Sequence, residues 1–233
     1  MAPGFADREV CRAFAEMLSY PGGGVGLAAR ACAAELAGRS PAAARLVEAF
    51  AAFAGETPRG TLEEAYTSAF DLGGAGYPYV GYHLFGESYK RSVFLVRLKE
   101  QYRACGLDLG SELPDHVAAL MGLLAASEDA DFAEELITDA LVPALDRMLG
   151  RSKAGAAPED GGPSGEDSMS DDGRASDEGP PPGEAPPPDE PPGRQAYRGL
   201  LRALRLALQE PPAPVAAGPA ACPAGVSRPS VAP

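Results

Sequence analysis

This sequence predicts an all-α fold, on three observations. Apolar residues recur at three- and four-residue steps through most of the chain, glycine, proline and short polar caps punctuate those runs, and no alternating strand pattern competes. The 233 residues suit one domain with appendages, or two small domains, and a hydrophobic content of 45% can supply a core.

The first helix follows Asp7 as cap and carries Val10, Phe14, Met17 and Leu18 until Pro21 and the glycines at 22–24 end it. An alanine-rich helix fits Leu27 to Ala37 and stops at Gly38. Ser40 and Pro41 start a third, a cap followed by a proline in the first turn, with Leu46, Val47, Phe50 and Phe53 as its stripe before Gly55. Thr61 and Glu64 form a capping box for a fourth, whose Leu62, Ala65, Tyr66, Ala69 and Phe70 face one way.

The stretch Gly76 to Val117 is chemically the most varied, with both histidines and five of the eight tyrosines. The glycine- and aromatic-rich segment from Gly73 to Tyr82 reads as a loop, suited equally to a binding surface and to a packed helix connection. From Ser88, Val93, Phe94, Leu95, Leu98 and Tyr102 mark a long amphipathic helix, with Gly106 as its left-handed stop and Arg103 complementing its negative end. Pro114 then suits a first helical turn, where Asp115 is favoured by the positive N-terminus and His116 is resisted as a cation. Val117, Leu120, Met121 and Leu124 continue that helix to about Ser127.

Phe132, Leu136, Ile137, Leu141, Leu145 and Leu149 mark a further helix that Pro143 should kink or split. The bundle closes by Gly150, so 1–150 reads as its extent. Residues 151–193 hold eleven acidic residues against three basic ones with almost nothing apolar, the composition of a disordered acidic linker. Tyr197, Leu200, Leu201, Leu204 and Leu208 then form a short helix over 194–210, opposite Arg198, Arg202 and Arg205 and expected to dock on the bundle; 211–233 reads as a loose tail. The expected architecture is a bundle of roughly seven to eight helices with the acidic insertion before the last.

The net charge of −13 argues against a nucleic-acid partner, since phosphate contacts need basic patches, and favours cationic clients, although 151–193 carries −8 of it and the body is only mildly acidic. No apolar run approaches the length of a membrane span, and Asp7, Glu9 and Glu16 interrupt the N-terminal pattern in a way a secretory signal would not, which points to the cytoplasm. Cys11, Cys32, Cys105 and Cys222 have neither redox nor zinc spacing and read as incidental thiols. No metal-ligand spacing links the two histidines, no nucleophile motif accompanies Asp115 and His116, and no phosphate loop is present, so neither catalysis nor a cofactor is expected.

Three motifs in order, AYTSAFDL at Ala65 to Leu72, GYHLFGESYKR at Gly81 to Arg91 and ELPDH at Glu112 to His116, resemble those of the nitrate reductase delta-subunit (NarJ-type) assembly chaperones of the TorD/DmsD superfamily. The similarity covers roughly Asp7 to Gly150, with a weaker echo at Ala196 to Leu208. The resemblance implies an all-α protein without catalytic activity. Its partner would be the N-terminal leader of a molybdoenzyme catalytic subunit of the nitrate reductase alpha type, held while molybdenum cofactor is inserted; cofactor-insertion proteins are a further partner class. The absence of tryptophan and the length of 151–193 depart from much of the family.

Matched onto those motifs, the client-binding candidates are Tyr66, Asp71, Tyr82, His83, Phe85, Glu87, Leu113, Pro114, Asp115 and His116. Asp71, Glu87 and Asp115 are expected to rim an apolar groove that takes an arginine-containing leader helix. Packing alone is the competing reading for each: Asp115 as a cap, His116 in the core, and the aromatics as supports for the long helix. A different class of function, an adaptor acting through the acidic 151–193 stretch, would keep its partners after loss of the bundle.

Overall fold

The computed structural model describes residues 7–70, 77–151 and 190–209. Asp71, Cys222, the acid-rich stretch read as a linker and the tail from 211 lie outside the described residues, apart from Arg151 and Glu190 to Gly193 at the linker's two ends.

Ten α-helices and one π segment make up the described residues, with no strand beyond an isolated bridge between Tyr79 and His116. The helices are α1 (Arg8–Met17), α2 (Val25–Leu36), α3 (Pro41–Glu56), α4 (Arg59–Phe70), α5 (Val80–Phe85), α6 (Tyr89–Ala104), α7 (Val117–Ala126), α8 (Ala130–Glu135), α9 (Val142–Met148) and α10 (Pro192–Gln209). The π segment, Leu136–Leu141, joins α8 to α9.

α7 is apolar on nearly every side and lies at the centre, where Val117, Leu120, Met121 and Leu123 are almost wholly buried. α1 packs between α7 and α2, α2 packs on α3, and α10 covers α3, α4 and α9. Tyr197 of α10 is fully buried with edge contacts to Phe50, Tyr66 and Phe70 at 5.2, 5.6 and 5.3 Å. Arg205 of the same helix holds both carboxylate oxygens of Asp146, one of them at 3.0 Å. That two-pronged pair fixes α10 against α9.

Several terminators sit where local chemistry puts them. Asp7 caps α1 by accepting the Glu9 N–H at 3.0 Å, and Gly106 ends α6 with φ +67°, open to glycine at no steric cost. Ser40 and Pro41 do start α3, although the Ser40 side chain makes no capping bond.

Other boundaries differ from the sequence reading. α4 begins at Arg59, which puts Thr61 inside the helix and removes the expected capping box. Val80–Phe85, read as the end of a loop and the approach to the long helix, forms a helix of its own. α10 starts at Pro192, two residues earlier than expected, with Glu190 paired to Arg194 and Arg198. Pro143 splits its helix through the π segment: its missing N–H and bulky ring disfavour the bond to Asp139, and the ladder widens ahead of it.

Phe50 is 1% exposed and touches both Phe53 and Tyr197, so Phe50→Ala should cost about 3–5 kcal/mol of stability. Chemical denaturation checks this, and a loss under about 1 kcal/mol would show that α10 does not form one core with α3.

Candidate functional site

ELPDH is not the first turn of a helix. Residues 112–116 run outside α7 and pair with the segment before α5: the Val80 N–H donates to the Asp115 carbonyl and the Val117 N–H to the Pro78 carbonyl, both at 2.8 Å. This tertiary pairing outweighs the local preference of Pro114 for a helical N-terminus and moves the start of α7 to Val117.

Asp115 is wholly buried and therefore forms no part of a groove rim, contrary to the sequence expectation. Its Oδ2 accepts from Arg91 Nε at 3.2 Å and Nη2 at 3.1 Å. Arg91 also lies over the Tyr79 ring, 5.9 Å from its centroid. Gly81 makes the approach possible, because a Cβ there would come within 2.8 Å of Asp115 Oδ2 and 3.2 Å of Arg91 Cγ. Asp115 Oδ1 is buried without a hydrogen-bond partner among the described residues.

His116 caps α7 with its ring: Nδ1 accepts the Ala118 N–H at 3.1 Å. That role requires the neutral tautomer protonated on Nε2, which faces the Tyr66 hydroxyl at 3.4 Å. Tyr66 in turn donates to the Leu18 carbonyl at 3.3 Å, so one chain of bonds links α7, α4 and the end of α1. Burial lowers the His116 pKa from 6.5, while Glu112 and Asp115 pull it the other way with less effect.

In front of His116 lies a cleft of about 520 Å³. Tyr20 after α1, Tyr66, Tyr79 and Tyr102 form its aromatic walls, and Ala118, Ala119 and Gly122 of α7 give it a smooth floor. Among the described residues Asp108 and Glu112 are its only charged lining groups; both are exposed, and Glu112 accepts from the Tyr79 hydroxyl at 3.4 Å. An apolar, aromatic cleft with acids and no cation in its lining suits a chain segment that is part apolar and part cationic.

Of the residues singled out from the sequence, Tyr66 and His116 line this cleft. Pro114 is buried behind it, accepting from the Tyr102 hydroxyl at 3.2 Å, and Leu113 is 41% exposed beside it. Tyr82, His83 and Phe85 do not line it. Tyr82 stacks on Tyr77 at 5.3 Å, Phe85 on Phe94 at 5.6 Å, and His83 donates from Nε2 to the Tyr77 carbonyl at 2.7 Å. Their helix, α5, packs on α9, where Arg147 donates to the His83 and Leu84 carbonyls. Burial lowers the His83 pKa as well. Glu87 is exposed just beyond α5.

Tyr20, Tyr79, Tyr102 and Asp108 carry no motif of their own, and only Glu112, the first residue of ELPDH, had a signal that could have marked it. Cys11 and Cys32 are buried and pushed up to about 12 by burial, which keeps them as neutral thiols. No grouping of His, Cys, Asp or Glu among the described residues could hold a metal ion, and no helix there is long and apolar enough to cross a membrane.

Comparison with known proteins gives one family. Residues 37–151 match the family described as nitrate reductase delta subunit, a span that runs from the end of α2 through α9 and includes all three sequence motifs. A search of curated proteins gives no match.

Two outcomes follow from the buried groups. Arg91→Met strands the Asp115 charge and should cost about 3–5 kcal/mol, whereas adding Asp115→Asn should restore much of that loss; equal losses in the single and double variants would refute the ion pair's role. Both histidines have native pKa values below 6.5, so the unfolded chain takes up protons that the native one refuses. Stability should therefore hold above about pH 7 and fall as pH drops below 6.5. His116→Asn, which keeps a capping acceptor, should make that fall shallower in denaturation curves; an unchanged slope would assign it to other groups.

Proposed function

The chain belongs, through residues 37–151, to the nitrate reductase delta subunit family, and on that premise we propose that its cleft binds the N-terminal leader of an apo molybdoenzyme catalytic subunit. The family consists of molybdoenzyme maturation chaperones rather than catalysts, and its members associate with the nitrate reductase catalytic subunit. The observation that carries the reading is the tyrosine-walled cleft in front of His116, with Asp108 and Glu112 at its mouth.

Leader binding is recognition without chemistry. The apolar face of an amphipathic leader helix lies against Tyr20, Tyr66, Tyr79 and the small residues of α7, as in other helix-in-groove complexes. A cationic side chain of the leader meets Asp108 and Glu112, which set orientation and encounter rate more than affinity. Leu113 adds apolar surface at the edge, His116 lines the back of the cleft, and Pro114 and Asp115 hold the wall in place from behind. Held this way in the cytoplasm, the apo-subunit stays available for insertion of molybdenum cofactor, and release follows before complex assembly and membrane attachment.

Calorimetric titration of the full chain with a synthetic N-terminal leader of a nitrate reductase alpha-type catalytic subunit tests the reading. Saturable binding is expected, weakened about tenfold by Tyr20→Ala and by Glu112→Gln, each at an exposed position and so with unchanged circular dichroism. A leader that fails to bind, or binds both variants as well as the parent, would sink it.

A further inference from the structure

α6 presents a second surface, on the side away from the cleft. At 100° per residue, Leu98 and Tyr102 mark its inward face, Tyr102 reaching the cleft, while Tyr89, Val93 and Val96 align on the opposite face at i, i+4 and i+7. Tyr89 is 83% and Val96 57% exposed. Lys99 and Arg103 flank this apolar line on one side, Lys90 and Arg97 on the other, and all four are exposed. None of the four has an ion-pair partner among the described residues. Glu100, the only acid on the helix, follows Val96 at i+4 and ends the apolar line, so the face carries four cations against one carboxylate.

We propose that the outer face of α6 docks an acidic amphipathic helix of a protein partner, its apolar stripe on Tyr89, Val93 and Val96 and its carboxylates on the four flanking cations. The charge selects the occupant. Three apolar side chains, one of them only half-exposed, make a poor membrane anchor. Nucleic acid would find an apolar line where the face is most exposed. An acidic helix satisfies both the line and its rims, and helix-on-helix packing matches the 16-residue length of α6. Because the face and the cleft lie on opposite sides of α6, the partner and the proposed leader bind at once.

The test uses the full chain and a fluorescent, glutamate-rich synthetic helix with leucines at helical spacing, followed by anisotropy. Saturable, salt-sensitive binding is expected, weakened about tenfold by Val96→Ser and more by Arg97→Glu with Lys99→Glu, helicity being unchanged. An excess of leader peptide should not displace the probe. No saturable binding, equal binding by the variants, or displacement by the leader overturns the proposal. So does stronger binding to phosphatidylserine vesicles, a shift to dimers in ultracentrifugation that these variants abolish, or a tenfold gain in probe affinity on deleting 152–189, which would make that acid-rich stretch the occupant.

Discussion

The Arg91–Asp115 pair joins three parts of the chain that local propensity alone would leave apart. Arg91 reaches in from α6, Asp115 sits between the ELPDH backbone and α7, and Gly81 opens α5 so that the carboxylate can approach. α6 needs that anchor, because only Leu98 and Tyr102 of its sixteen residues are fully buried. A buried pair of this kind gains little net energy over apolar packing, since desolvation offsets the attraction. What it supplies is placement: the carboxylate can neutralise its charge only with Arg91 in position, and that fixes where α6 lies over Tyr79. The partnerless Oδ1 is a cost accepted within the same arrangement.

Placement of this segment is also what makes His116 a neutral group. Its ring is buried, caps α7 and presents Nε2–H to Tyr66, so a second proton on Nδ1 would break the cap and place a cation at a positive helix end. A neutral imidazole leaves Asp108 and Glu112 as the only charges among the described residues that line the cleft. The surface offered to a ligand is consequently acidic in sign although a histidine lies at its back.

Legibility in the sequence divides along the same line. Signals that act within one helix were readable: the Asp7 cap, the Gly106 stop, the apolar period of α10 and the effect of Pro143 on its own ladder. Where a distant segment competes, local reading failed. Pro114 looks like a helix start until Val80 and Val117 take up backbone bonds across the chain, and Thr61 looks like a cap until α4 extends past it. For the cleft, Tyr66 and His116 were marked by motif, whereas Tyr20, Tyr79 and Tyr102 meet from separate elements at no fixed sequence spacing. Tyr82, His83 and Phe85 were equally conspicuous, yet α5 turns them toward Tyr77, Phe94 and α9.

Tyr66 belongs at once to the cleft wall and to the core. Its ring packs edge-on against exposed Tyr20 at 5.6 Å on the cleft side, and within the core tilted against Phe70 at 4.8 Å and edge-on against Tyr197 at 5.6 Å. Tyr197 comes from α10, beyond the family-matched span, and is held there by Phe50 and by the Arg205–Asp146 pair on the same helix. A close-packed interior transmits a shift of one ring to its neighbours. The C-terminal helix is therefore a structural part of the cleft although none of its residues lines it, and the wall position set by Tyr66 depends on whether α10 is docked.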